Sequence, residues 1–276
     1  MSALLALLSS VVWGTSDFFG GTLSRKRPPI AVIGGSQPFG LGLVVLIALV
    51  FGRWQLQSDV LLYGALSGVI GLIGLLSFYA ALSTGRMGIV SPIASMGVII
   101  PLLIGLSKGE QPTRLEMFGI VVAVIGMVLA SGPEISGGAA AKPVILALVA
   151  ALTFGIAIYF MALGGTVNPT MTIVVMRVVQ VSIVVVIALC VRHIGGLTRQ
   201  DVPTLALIGG TDAAANLLFA TAASIGFLSI TSVLGSLFPV VTVVLAWWIH
   251  KERLAWIQYV GIGATMLGVL SITFGR

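Results

Sequence analysis

Ten apolar blocks of about twenty residues, separated by short polar connections, fill this 276-residue chain. They fall at 3–22, 30–51, 60–83, 88–107, 116–132, 143–163, 169–191, 203–223, 229–249 and 254–274. Only 8% of the residues are charged and 58% are hydrophobic, where a soluble domain carries roughly 25% charged residues. So few charges cannot clothe a water-facing surface, so lipid must be the main solvent. In lipid every backbone N–H and C=O has to be satisfied internally, which leaves helices or a closed barrel. Barrel strands would read as alternating segments of about ten residues; blocks twice that length predict an all-α membrane protein with ten transmembrane helices.

The blocks repeat. Leu5-Ala6-Leu7, Gly14 and Phe19 recur as Leu146-Ala147-Leu148, Gly155 and Phe160, a shift of 141. Leu76, Ala80 and Ala81 recur as Leu218, Ala222 and Ala223, and Glu110, Gly119, Ile120 and Gly126 as Glu252, Gly261, Ile262 and Gly268, a shift of 142. The chain therefore divides into a first five-helix repeat at 1–132, a Gly/Ala-rich linker at 133–142 and a second repeat at 143–276. Five is odd, so the second copy enters the bilayer from the opposite face. Inverted halves around a shared midplane suit a carrier that opens alternately to each side. The first block, free of Lys and Arg through residue 24 and repeated from Leu146, is expected to be a permanent helix rather than a cleaved signal.

The charges exclude several classes. The net charge is +6, but the basic residues are scattered through short connections without interleaved aromatics, so nucleic acid is not an expected partner and membrane orientation explains them better. Cys190 stands alone, and His193 and His250 lie near helix ends, so neither a metal site nor a cofactor is expected. Gly105-Leu106-Ser107-Lys108-Gly109 matches a nucleophile-elbow pattern but ends a spanning block, without the strand–turn–helix that such an elbow needs. No phosphate-binding loop occurs, so direct ATP drive is not expected.

Thirty-five glycines suit close helix approach in lipid; Gly64, Gly68, Gly71 and Gly74 form one such row. Gly34-Gly35, Pro38 and Gly40 in the second block, Pro92 and Pro101 in the fourth and Pro239 in the ninth permit bending.

The repeated five-helix unit, Trp13-Gly14 in the first block, and Gly109-Glu110 and Lys251-Glu252 before the fifth and tenth blocks resemble the EamA-type transporters of the drug/metabolite transporter superfamily. The resemblance covers essentially the whole chain. It implies ten helices, a central cavity formed mainly by blocks one to four and six to nine, peripheral fifth and tenth helices, and movement of small metabolites, often amino acids or related compounds, usually outward. Pro101 stands where the second copy has Val243, and Gly97 opposite Pro239, so the halves need not bend alike.

Ionisable side chains inside lipid are costly and mark function or pairing. Asp17, Arg177 and Asp212 are the three here. They read as cavity charges, or, for Arg177 and Asp212, as a structural ion pair between helices. Asp17 or Asp212 is a candidate for proton exchange during transport, because burial disfavours a charged carboxyl. Trp13, Ser16, Gln37, Tyr79, Ser91, Ser95, Tyr159, Gln180, Asn216 and Phe238 complete the candidate substrate-binding set. Aromatic rings with a polar edge suit an amphiphilic solute, and the amides of Gln37 and Asn216 would be penalised facing lipid. Packing or an interfacial position is the alternative for the aromatics, and a hydrogen bond between helices is the alternative for Gln37 and Asn216. Glu110 and Glu252 read as interface anchors on opposite faces.

Ten crossings put both termini on one side. Connections after odd-numbered blocks hold nine basic residues (Arg25, Lys26, Arg27, Arg86, Lys142, Arg192, Arg199, Lys251, Arg253), and those after even-numbered blocks, with the tail, hold four (Arg53, Lys108, Arg114, Arg276). This bias favours termini outside, whereas the resemblance implies cytoplasmic termini; the family arrangement is adopted. The function expected is secondary transport of small organic metabolites, amino acids, related amphiphiles or drugs, across a bacterial cytoplasmic membrane by alternating access, with export favoured. Coupling to protons and drive by the solute gradient alone are both open, and one chain can enclose a complete pathway. The alternatives are a solute channel or a non-transporting receptor, and a membrane enzyme third.

Overall fold

The computed structural model describes residues 1–51, 53–85, 87–130, 141–191, 195–250 and 255–275. Most of the expected linker, together with Arg86, Arg192, His193, Lys251, Glu252, Arg253 and Arg276, lies outside them. The described residues form helices and short connections, with no strand. In order these are α1 (Ser2–Ser24), α2 (Pro29–Val50), α3 (Ser58–Thr84), α4 (Met87–Ser95), α5 (Ile99–Ser107), α6 (Arg114–Ala130), α7 (Ala141–Val167), α8 (Pro169–Val191), α9 (Val202–Ile225), α10 (Leu228–Gly235), α11 (Phe238–His250) and α12 (Trp256–Phe274). Eight segments are long and apolar enough to cross a membrane: α1, α2, α3, Val90–Ser107, α7, Pro169–Cys190, Arg199–Ile225 and Leu228–Ile249. α6 has 17 residues, and the apolar part of α12, Tyr259–Phe274, is shorter again.

The helix starts follow local chemistry. Proline at the first turn begins α2 and α9, where a missing N–H costs nothing. Thr113 and Glu116 cap α6 reciprocally: the Thr113 N–H donates to Glu116 Oε2 at 2.7 Å and the Glu116 N–H to Thr113 Oγ1 at 3.2 Å. Thr198 and Asp201 do the same for the 3-10 turn that leads into α9. Glu110, read from sequence as an interface anchor, caps a distant helix. Its two oxygens accept the N–H groups of Leu228 and Ser229 at 2.7 and 2.8 Å, which fastens the α5–α6 connection to the first turn of α10. A carboxylate there also meets the positive end of the helix.

The fourth and ninth blocks are each two helices rather than one. A 3-10 turn at Met96–Val98 separates α4 from α5, and Ser236–Leu237 separates α10 from α11. Proline explains both. Pro101 and Pro239 have no N–H for the carbonyls four residues earlier, Gly97 and Gly235, so the ladder opens there. Although the two prolines occupy different repeat positions, the breaks nearly coincide: Ser95 and Ser236 are 141 residues apart.

Glycine sets the helix spacing elsewhere. Gly209 of α9 lies against the Ser36 carbonyl of α2, and Gly155 of α7 against the Gly97 carbonyl; a Cβ at either would overlap backbone. α6 packs on α12 in the same way, through Gly119, Gly126 and Gly268. The outward faces carry bare Leu46, Leu49, Leu189, Leu267, Trp248 and Trp256, all more than half exposed, a surface that only lipid tolerates.

Gly209→Ala should therefore lower the thermal unfolding midpoint in detergent, at a cost of about 1–3 kcal/mol for overpacking a rigid backbone contact. Gly210→Ala, with open space around its Cβ position, should leave the midpoint unchanged. Equal effects of the two substitutions would refute this packing account.

Candidate functional site

A cavity of about 90 Å³ lies at mid-helix depth, room for several water molecules or one compact solute. Its wall is drawn from α1, α3, α7, α8 and α9 and from the two helix breaks. Among the described residues, none of α6 or α12 lines it. Gly97, Gly235 and Ser236 bring interrupted backbone to the wall, the kind of irregularity tolerated at membrane depth only where it faces a cavity.

One polar network organises the wall. The Arg177 guanidinium of α8 pairs with Asp212 of α9 at 2.8 Å. Its Nη1 also donates to Gln37 Oε1 of α2 and, at 3.1 Å, to Gln180 Oε1 one turn along α8. Asp212 Oδ1 in turn accepts from Trp13 Nε1 at 3.2 Å and from Asn216 Nδ2 at 3.0 Å. Four helices are thus cross-linked through one ion pair. The Nε and Nη2 atoms of Arg177 are enclosed by protein and carry no hydrogen bond among the described residues.

Of the thirteen residues picked from sequence, eight line the cavity: Trp13, Asp17, Ser95, Arg177, Gln180, Asp212, Asn216 and Phe238. Five stand off it. Ser16 turns away to donate to the Ile208 carbonyl at 3.0 Å. Gln37 lies behind the wall, orienting Arg177. Tyr79 is buried against Gly20, and Ser91 is buried with no partner for its hydroxyl among the described residues. Tyr159 accepts a hydrogen bond from Lys108 Nζ at 2.9 Å. The wall also includes residues outside that set, among them Gly71, read from sequence as a packing glycine, and Ser67, Phe154, Met161, Met176 and Ser236, not singled out at all. Two of these had a signal: Phe154 lies 141 residues after Trp13, and Ser236 lies 141 after Ser95. The methionines had none beyond being apolar.

The sequence matches the EamA-like transporter family over residues 1–132 and 141–274. The chain belongs to that family. An uncharacterised protein of Methanocaldococcus jannaschii is 32% identical over 130 residues, which is 46% of this chain and 94% of the relative. A crystal structure of another protein superposes at a TM-score of 0.80 with 14% identity, covering 99% of this chain and 96% of the other, so the fold is shared across wide sequence divergence. As an EamA-like protein with many apolar helices, the chain is a multi-pass membrane protein of the drug/metabolite transporter superfamily. Members of the EamA family are transporters of small solutes rather than enzymes.

In this EamA protein the ion pair is a structural linchpin. Asp212→Asn would strand a buried guanidinium and should cost about 3–5 kcal/mol, whereas Arg177→Met combined with Asp212→Leu should recover most of the loss. Unfolding midpoints of the single and double variants in detergent test this; a double variant no better than the single would disprove it.

Proposed function

We propose that the protein is a secondary carrier of ten membrane-spanning helices, built as two inverted five-helix halves (1–132 and 143–276, joined by 133–142). It binds a small organic solute in the mid-depth cavity and releases it by alternating access. Amino acids, related amphiphilic compounds and drugs are the candidate solutes, export across the cytoplasmic membrane the favoured direction, and one chain encloses the path. The carrying observation is how the cavity wall is composed. At an offset of 141, one less than the 142 read from the sequence matches beyond Leu76 and the register in which Gly97 stands opposite Phe238 rather than Pro239, seven pairs of lining residues correspond: Trp13 and Phe154, Asp17 and Ile158, Gly71 and Asp212, Leu75 and Asn216, Ala94 and Gly235, Ser95 and Ser236, Gly97 and Phe238. Fourteen of the 21 lining residues are thereby paired across the repeat, as expected when a two-fold axis passes through a shared site.

Two further facts support this reading. Helix contacts are duplicated at the same offset: Gly14 packs on the Phe238 carbonyl, as Gly155 packs on that of Gly97. The relative from Methanocaldococcus jannaschii, almost entirely aligned, matches under half of this chain, as a single five-helix unit would.

The apolar cores suit alternating access. Toward the end of α1 and the start of α7, one core joins α1, α2, α3, α4, α7, α8, α9 and α11, through residues such as Phe18, Ile33, Phe78, Leu82, Ala147 and Ala246. Toward the start of α1 the core is divided. One cluster joins α2, α3, α7, α8 and α9, and another gathers α1, α6, α9, α10 and α12. A cavity sealed by one thick core and flanked by a divided one fits a conformation that faces the side where α1 begins.

Counterflow in reconstituted vesicles tests the carrier reading. Vesicles preloaded with an unlabelled solute from a metabolite panel should transiently accumulate the labelled form above equilibrium, because a carrier exchanges. Simple equilibration without overshoot would instead identify a channel, and no flux of any solute a receptor. Trp13→Ala, which removes both an aromatic wall and a hydrogen bond to Asp212, should lower exchange by roughly tenfold or more.

A further inference from the structure

Asp17 is the acidic group of the cavity that nothing holds. It lines the wall from the middle of α1, half-buried, and among the described residues no hydrogen bond or ion pair reaches its carboxylate. Arg177, the basic residue of the wall, is already committed. Its side chain is 1% exposed, bound to Asp212, Gln37 and Gln180, and its remaining nitrogens are enclosed by protein. Asp212, at 14% exposure, is more open than its partner. The charge that a solute meets in this cavity is therefore negative. Asp212 from α9 and Tyr79 from α3 are the titratable groups facing Asp17. α2, α10 and α11 pack on α1 too, and among the described residues none of them brings a titratable side chain to the wall, nor do α4 and α7.

An unpaired carboxylate at membrane depth requires a positive partner from outside. Around it the wall is apolar and aromatic, with Trp13, Leu75, Phe154, Ile158 and Phe238. Aromatic faces attract organic ammonium groups and apolar surfaces take a hydrocarbon body. A zwitterion would bring its own carboxylate against Asp17 and Asp212, with no reachable cation to receive it. We propose that Asp17 anchors a monovalent organic amine with an apolar body, and that the amine and a proton compete for this carboxylate. The exchange balances: the protonated carboxyl and the ammonium solute give a carboxylate–ammonium pair and one released proton. Carried through an alternating-access cycle, the competition couples outward movement of amine to inward movement of protons. This rests on the cavity being a solute site, and it selects amines from the broader class of amphiphiles.

The test uses the full-length protein in detergent and probes sharing a phenylethyl body: 2-phenylethylamine, phenylalanine and 3-phenylpropionate. The amine should bind roughly tenfold tighter than the other two or better. Its affinity should fall with decreasing pH, by at most about tenfold per unit, and its binding should release protons into weakly buffered solution. Asp17→Asn should weaken amine binding by about tenfold or more and abolish the pH dependence, with an unchanged unfolding midpoint, whereas Asp17→Glu should retain both properties. Preference for phenylalanine or 3-phenylpropionate, no binding of the amine to the native protein, or amine binding by Asp17→Asn equal to the native protein's would each overturn the inference. Counterflow with the metabolite panel reports separately on the carrier. Flux without amine preference leaves the carrier standing and this inference fallen; Asp17-dependent amine binding without any flux does the reverse.

Discussion

A guanidinium at the middle of a lipid-embedded bundle cannot stand alone, and much of the interior of this protein is arranged around that fact. Removing Arg177 from water is worth several kcal/mol of penalty unless a counter-charge and hydrogen bonds replace the lost hydration. The replacements come from α2 (Gln37), α8 itself (Gln180) and α9 (Asp212), and Asp212 is steadied by Trp13 of α1 and Asn216. Helices from both parts of the sequence are thereby tied at one depth. Lipid offers no hydrophobic drive to separate one helix from another, so association depends on such polar ties and on close packing.

Close packing supplies the remainder, and it is carried by backbone rather than by large side chains. Gly209 on Ser36, Gly155 on Gly97 and Gly14 on Phe238 each place a helix directly against a carbonyl. Contacts of this kind fix interhelical distance tightly but leave few side chains to interlock. They suit surfaces that must shift as units. The breaks at Met96–Val98 and Ser236–Leu237 lie beside two of these contacts, so the weakest points of the hydrogen-bond ladder adjoin the cavity. Glu110 holds the outer end of α10 and leaves its inner end, at Gly235, open to the wall.

The helices could be placed to within a few residues, because a helix in lipid announces itself by length and by lack of charge, although eight rather than ten segments are long and apolar enough to cross a membrane. The prolines pointed to bending but not to breaks at one shared depth; that needs the partner helices, which decide whether an opened ladder is bridged. The site was harder. In helices apolar on every face, periodicity says little about which side looks inward. Ser16 and Asp17 are neighbours on α1, yet one is spent on the Ile208 carbonyl and the other faces the cavity. Tyr79 and Tyr159 had the right chemistry and lie off the wall. Charge was the better guide, since burial forces Arg177, Asp212 and Asn216 to find one another. Phe154 was legible only as the residue 141 positions after Trp13, and Ser236 falls one residue short of the position that the 142 offset assigns to Ser95.

Under the proposed inverted-repeat reading, the cavity positions are paired but their chemistry is not. Trp13 is matched by another aromatic, Phe154, but Asp17 is matched by Ile158, Gly71 by Asp212 and Leu75 by Asn216. A strictly symmetric wall would double each ionisable group, placing two copies of Asp17 in one low-dielectric space where like charges raise each other's energy. Keeping a single polar member in each such pair, ionisable in the pairs of Asp17 and Asp212, is compatible with a two-fold scaffold and avoids that repulsion. Under the carrier reading this division has a consequence. The scaffold can then adopt two openings related by a two-fold rotation and of similar energy, since duplicated contacts such as Gly14–Phe238 and Gly155–Gly97 are merely exchanged. The asymmetric charges stay with the same helices in both openings, so a bound solute keeps its partners while the surrounding halves rock. What then biases one opening over the other is the core beyond the cavity on each side, a single apolar mass at one end and a divided one at the other.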